Sequence, residues 1–271
     1  MSRLPTMFIP HGGGPCFFMD WDPPDTWDRM ADYLRHVPEE VGVRPKALVV
    51  ISGHWEEDVV TIQNNPTPPL LYDYYGFPPS TYEIKFPAPG APDVAARVGE
   101  LLGAAGIAHK FDGARGFDHG VFIPLKVVYP KADVPIVQLS LLASMNPAEH
   151  IRIGQALEPL RDENVLIVGS GMTYHNMRTL MASRRGGANR ADPGSQRFDA
   201  WLDEALTKAD PVARTAALSA WSKAPSAREA HPREEHLLPL HVVVGAAGND
   251  AGRRTLNEVV MGAVESAFRF G

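Results

Sequence analysis

Three times along this chain a short apolar run ends in Pro, Gly or Ser and is followed by a histidine. The runs are Thr6 to Pro10 before His11, Ala47 to Ile51 with Ser52-Gly53 before His54, and Val165 to Val168 with Gly169-Ser170-Gly171 before His175. Runs of this length read as buried strands, and the small residues that follow are expected to end them. A histidine at a strand exit stands where open α/β sheets place their ligands. One such histidine is more often a core residue, but three point to a shared site and to a metal. Gly12-Gly13-Gly14 after His11 would let backbone approach a bound group closely.

Length and composition narrow the classes. A chain of 271 residues can bury a sizeable core, and with no repeat or low-complexity segment one domain with functional loops is preferred. A hydrophobic fraction of 44% and a charged fraction of 21% are those of a globular protein. The net charge of −6 provides no basic footprint for nucleic acid and disfavours anionic membranes. Cys16, the only cysteine, cannot form an intramolecular disulfide and, between Pro15 and Phe17, is expected to be a buried thiol. There is no long apolar N-terminal segment and no run near the ~20 residues a membrane helix needs, so a cytoplasmic enzyme is expected.

The remaining segments fit around the strands. Asp22 to Trp27 supplies turn chemistry for a helix running to about His36, Val59 to Gln63 reads as a strand, and Ala91 to Ala105 as a helix, with His109 facing solvent beyond it. Prolines cluster at Pro66 to Pro69, Pro78 to Pro79 and Pro87 to Pro92, which fits stiffened loops over a site. Between them Tyr72, Tyr74, Tyr75 and Phe77 either line a pocket for a flat ligand or form a satellite apolar cluster. Val134 to Ser140 reads as a strand, and Asn146 to Arg161 as an N-capped helix with His150 on its polar face. Arg184 to Pro193 reads as a mobile surface loop. Ser195 to Ala209 and Val212 to Trp221 read as helices, Lys223 to Ala230 as an exposed join, and Asn257 to Phe268 as a closing strand or a short helix.

Two further histidines sit in suggestive settings. Asp118-His119 is weak alone, because adjacent side chains seldom hydrogen-bond to each other. In Glu234-Glu235-His236, ahead of an apolar segment, the carboxylates fit a helix N-terminus, while His236, or Glu235 in its place, could complete a metal site. Ligands scattered over whole βα units, with few cysteines, fit a catalytic rather than a structural ion, and imidazoles select Zn, Fe, Cu or Ni. No H-E-x-x-H, G-x-S-x-G, G-x-G-x-x-G or P-loop pattern is present.

These motifs, taken in order, carry a resemblance. Pro10-His11-Gly12-Gly13-Gly14-Pro15, Ser52-Gly53-His54-Trp55, Gly76-Phe77-Pro78, Gly116-Phe117-Asp118-His119-Gly120, Tyr174-His175-Asn176 and Glu235-His236-Leu237-Leu238-Pro239-Leu240 resemble the class III extradiol ring-cleavage dioxygenases, in their 4,5-DOPA dioxygenase branch. Many members have Gly-His-Gly-Ser-Pro at the first motif, and another branch uses a glutamate as third ligand, which keeps Glu235 as a rival to His236. The resemblance implies a single α/β domain over residues 1–271, with a central, mostly parallel or mixed sheet flanked by helices and a metal site at strand ends. It implies a non-haem Fe(II) centre held by His11, His54 and His236, with Zn(II) as an alternative occupant. His175 would be the acid/base group and His119 would touch substrate or oxygen. The reactants would be O2 and a catechol with a DOPA-like or caffeate-like side chain, which Arg178 or Arg233 could meet through its carboxylate. The rivals are a Memo-type binding module without enzymatic activity and a zinc hydrolase on the same scaffold.

Overall fold

A computed structural model describes residues 3–186, 190–208 and 210–271. Eight strands form one mixed sheet: β1 (Thr6–Pro10), β2 (Ala47–Glu57), β3 (Val60–Gln63), β4 (His109–Asp112), β5 (Ile136–Leu142), β6 (Val165–Gly171), β7 (Gly252–Val260) and β8 (Ala263–Phe270). Their spatial order is β4-β3-β5-β2-β6-β1-β8-β7. The central strands β5, β2, β6 and β1 run parallel. Their nearly unbroken apolar sequences follow from burial on both faces. On one side β3 pairs antiparallel to β5, and on the other β8 pairs antiparallel to β1.

Helices cover both faces: α1 (Asp28–Val41), α2 (Pro92–Ala104), α3 (His119–Val128), α4 (Pro147–Leu157), α5 (Met177–Gly186), α6 (Pro193–Asp203), α7 (Pro211–Ser219), α8 (Ala227–Ala230) and α9 (Leu238–Ala247). Every residue of α9 is buried, and Arg161, itself buried, donates to the carbonyls of Ala246 and Ala247 at its C-terminal end. The α/β class and the helix-flanked sheet are those expected from the sequence. Among the described residues no helix is long and apolar enough to cross a membrane.

The register positions the site. Pro10 pairs with Gly171 and Ser52 with Ser170, so the parallel strands finish level and deliver their following residues to one edge. Ser52-Gly53 does not end β2: the strand runs to Glu57, and a register shift against β5 between Ile51 and Glu56 turns His54 out of the ladder while the chain stays extended.

Other expectations are corrected. α1 continues past His36 to Val41 with Pro38 inside it. His109 opens β4 and is half-buried. His150 is fully buried, its Nε2 accepting from the Leu142 amide and its Nδ1 facing the Asn146 carbonyl, so it ties α4 to β5. The helix from Asn146 ends at Leu157 and passes into a tighter turn over Glu158–Glu163. The helix from Ser195 begins at Pro193 and gives way to a wider turn at Glu204. In the join after Lys223, Ala227 and Ala230 are buried. The closing strand is a hairpin, with Met261 and Gly262 both at positive φ in the two-residue turn. Of the loop expected from Arg184 to Pro193, the start belongs to α5, the end to α6, and positions 187–189 lie outside the described residues.

Candidate metal centre

The residues gathered at that edge are the five histidines His11, His54, His119, His175 and His236, which line a cleft of about 340 Å³. They come from five separate parts of the fold. His11 follows β1, His54 lies on the displaced end of β2, His119 opens α3, and His175 and His236 lie on the loops after β6 and before α9. The approach of the last two depends on small residues. A side chain at Gly171 would bring its Cβ to 2.1 Å from the His236 carbonyl, a contact that the Met172 amide instead makes as a hydrogen bond of 3.1 Å. Gly12 has φ +76°, and a Cβ there would meet the Cys16 sulfur at 2.2 Å, so the turn after His11 needs glycine on both counts. Cys16 is buried, and burial raises its thiol pKa, in keeping with an inert side chain.

Ligand-capable atoms of His11, His54 and His236 all lie within 4.8 Å of one another. The tautomers of His11 and His236 follow from their neighbours. Ser170 Oγ donates to the Gly120 carbonyl and so accepts from His11 Nδ1 at 3.1 Å, which leaves His11 Nε2 with a lone pair, 3.2 Å from His54 Nε2. His236 Nδ1 donates to Glu235 Oε1 at 3.0 Å, which leaves its Nε2 unprotonated. Burial first, then the neighbouring imidazoles, lower the pKa of all three, His54 to about 3. Neutral rings with one nitrogen engaged and the other bare are the form in which histidine binds metal. The donor set therefore fits a metal ion.

His175 stacks on His236 with ring centroids 3.4 Å apart, and its Nδ1 lies 3.3 Å from the same Glu235 oxygen. Burial pushes the Glu235 carboxyl up, but the hydrogen bond from His175 and the charges of His175 and Arg233 outweigh it and keep it below its usual value. Glu235 thus serves two rings at once. His119 lies 3.9 Å from His54 between ring centroids, and both its backbone amide and its Nδ1 meet Asp73 Oδ1, at 2.9 and 2.8 Å.

The sequence pointed to the five histidines, but not to what orients them. Asp118 does not hold its neighbour His119; it is fully buried and accepts from Ser52, Arg115 and Gln138. Asp73 takes that place from 46 residues away, in a stretch notable in sequence only for its aromatics. That stretch does both jobs weighed for it. Tyr72 packs on Phe122, while Tyr74, Tyr75 and Phe77 line the cleft. Arg233 pairs with Glu56 at 2.5 Å and approaches Glu235 at 3.5 Å, and neither it nor Arg178 is among the lining residues described.

Residues 5–269 match the family model described as the catalytic LigB subunit of aromatic ring-opening dioxygenase. A 4,5-DOPA dioxygenase extradiol from Beta vulgaris is 38% identical over 91% of this chain and 88% of its own. The protein of that name from Escherichia coli is 34% identical over 90% and 86%. A dioxygenase, tasH, from Hapsidospora irregularis is 37% identical over 97% and 84%. In structure, an uncharacterized Escherichia coli K12 protein superposes with a TM-score of 0.79 at 30% identity, covering 99% of this chain and 100% of that one.

Proposed function

The chain belongs to the LigB family of aromatic ring-opening dioxygenases, and from that premise we propose that it is a single-domain, non-haem Fe(II)-dependent extradiol dioxygenase acting on a catechol with a DOPA-like or caffeate-like side chain. His11, His54 and His236 hold the metal, and Glu235 orients His236 instead of replacing it. The observation that carries this reading is the convergence of three neutral imidazoles whose ligand atoms lie within 4.8 Å of one another. When bound, a ferrous ion would supply Lewis acidity and redox chemistry toward the catechol and O2.

The remaining work belongs to the chain. With its Nδ1 on Glu235, His175 presents Nε2 to the cleft, where it accepts the phenolic proton of the bound catechol and later returns one as the ring opens. With its Nδ1 on Asp73, His119 presents Nε2 to the oxygen that becomes negative, and stabilises it electrostatically when that nitrogen carries a proton. The aromatic walls Tyr74, Phe77 and Trp27 pack a flat ring and keep bulk water from it.

The test is anaerobic reconstitution with Fe(II), addition of a catechol and then air. The proposal expects oxygen uptake matched to formation of a yellow ring-opened semialdehyde. Absence of oxygen uptake with every catechol tried, or ester hydrolysis that needs no oxygen, would overturn it.

A further inference from the structure

Part of the cleft wall is the β7–β8 hairpin, which contributes Val260, Met261 and Glu265. Glu265 is fully buried, and one of its oxygens is thoroughly engaged. Oε2 accepts from the Thr173 amide at 2.9 Å, the Thr173 hydroxyl at 3.0 Å and the Tyr174 amide at 3.3 Å. The hydroxyl has no other use for its hydrogen, since its oxygen already accepts from the Ser266 amide. Oε1, in contrast, is buried with no hydrogen-bond partner. A buried acceptor of this kind is costly unless a donor arrives.

Among the described residues no ion pair reaches Glu265 either. Directly across the hairpin in register stands Glu258, also buried and also with an unpartnered Oε1. Like groups placed opposite each other disfavour an antiparallel pair, and the cation acting on Glu258 is Arg29 on α1. The cleft is also lined by Met172, Leu180, Val260 and Met261, and among the described residues no lysine or arginine lines it. A substrate carboxylate finds no lysine or arginine on these walls, whereas Glu265 is a cleft-lining residue with an acceptor oxygen to spare.

We propose that Glu265 is a specificity-determining residue whose free oxygen accepts from the ammonium of the catechol's side chain, so that aminoalkyl catechols are preferred over catechols whose side chain ends in a carboxylate. The inference rests on the ring-cleavage reading for the catechol itself and adds the side-chain chemistry. Burial, with a smaller contribution from Glu258, holds the Glu265 carboxyl up at about 8. Cation and proton then compete for the same oxygen, and an arriving ammonium favours the ionised form.

Anaerobic titration calorimetry of the Fe(II)-reconstituted protein tests this with three catechols that share a two-carbon side-chain stem ending in an ammonium, nothing or a carboxylate: dopamine, 4-ethylcatechol and 3,4-dihydroxyphenylpropionate. The expected result is dopamine binding roughly tenfold or more tightly than 4-ethylcatechol, as for a buried charge-assisted hydrogen bond, with the propionate weakest. Glu265→Gln keeps an acceptor for Thr173 and Tyr174 but not the charge, and should shrink the dopamine preference to less than about threefold. Equal binding of dopamine and 4-ethylcatechol by the wild type, tightest binding of the propionate, failure of dopamine to bind at millimolar concentration, or an unchanged preference in Glu265→Gln would each overturn it. If the variant does not fold, the wild-type ratios decide alone. Admitting air at the end separates the two readings, because loss of oxygen uptake strikes the ring-cleavage reading while the ratios still judge Glu265.

Discussion

His11 and His236 in the cleft are as buried as His150 and His241 in the core, and burial lowers the pKa of all four. What separates the pairs is the use of the second ring nitrogen. In His150 one nitrogen accepts from an amide and the other faces a carbonyl, and in His241 both abut carbonyls, of Leu237 and Leu218. In His11 and His236 one nitrogen is held by Ser170 or Glu235, and the other is left bare in a cleft with further imidazoles. Burial and a depressed pKa therefore do not set a candidate ligand apart; a tethered ring with a lone pair facing its neighbours does.

Deleting one histidine of each kind tests this division. His236→Ala should lower metal affinity by more than about 100-fold, beyond the range typical of residues behind the ligands, with the fold retained. His241→Ala should leave metal stoichiometry unchanged and cost about 2–4 kcal/mol of stability. Metal analysis and denaturant unfolding of both variants would show whether the division holds.

His175 refines the division, since it stacks on a ligand candidate without belonging to the His11–His54–His236 group. His175→Ala should keep the metal and reduce turnover by about 10²–10⁴-fold, as expected for loss of a general acid/base. Loss of metal in that variant would move His175 among the ligands. A smaller effect is expected behind His11. Ser170→Ala removes the acceptor that fixes its tautomer and should weaken metal binding by about 10–100-fold, measured by chelator competition.

The smallest effect is on the core side. His241 has its pKa held down to about 4 by burial, against an ordinary 6.5, so the unfolded chain takes up the proton first as pH falls. Its contribution to stability is full above about pH 6.5 and is lost progressively toward the folded value, at about 1 kcal/mol per pH unit. Unfolding free energies between about pH 6 and 4.5 should therefore fall less steeply in His241→Gln than in the wild type.

What the sequence disclosed follows the same physics. β1, β2 and β6 were legible because strands buried on both faces are apolar throughout, and Gly53 and Gly171 stood out because the Glu235-His236 backbone passes close by them. The β7–β8 hairpin was read as one element because its turn, Met261-Gly262, lacks the usual Asn-Gly signal, and because buried Glu258 and Glu265 interrupt the apolar alternation. His150 was misread because a well-formed Asn146 cap describes where a helix starts and not which face it buries. Asp73 left no trace in the sequence, since only tertiary folding brings it to His119.

The central claim is that His11, His54 and His236 share one ion. Diffraction from iron-loaded crystals grown without oxygen, recorded at the iron absorption edge, tests it most directly. One anomalous peak is expected at bonding distance from a ring nitrogen of each of the three. A peak bonded to Glu235 in place of His236, or iron bound elsewhere in the molecule, would contradict it.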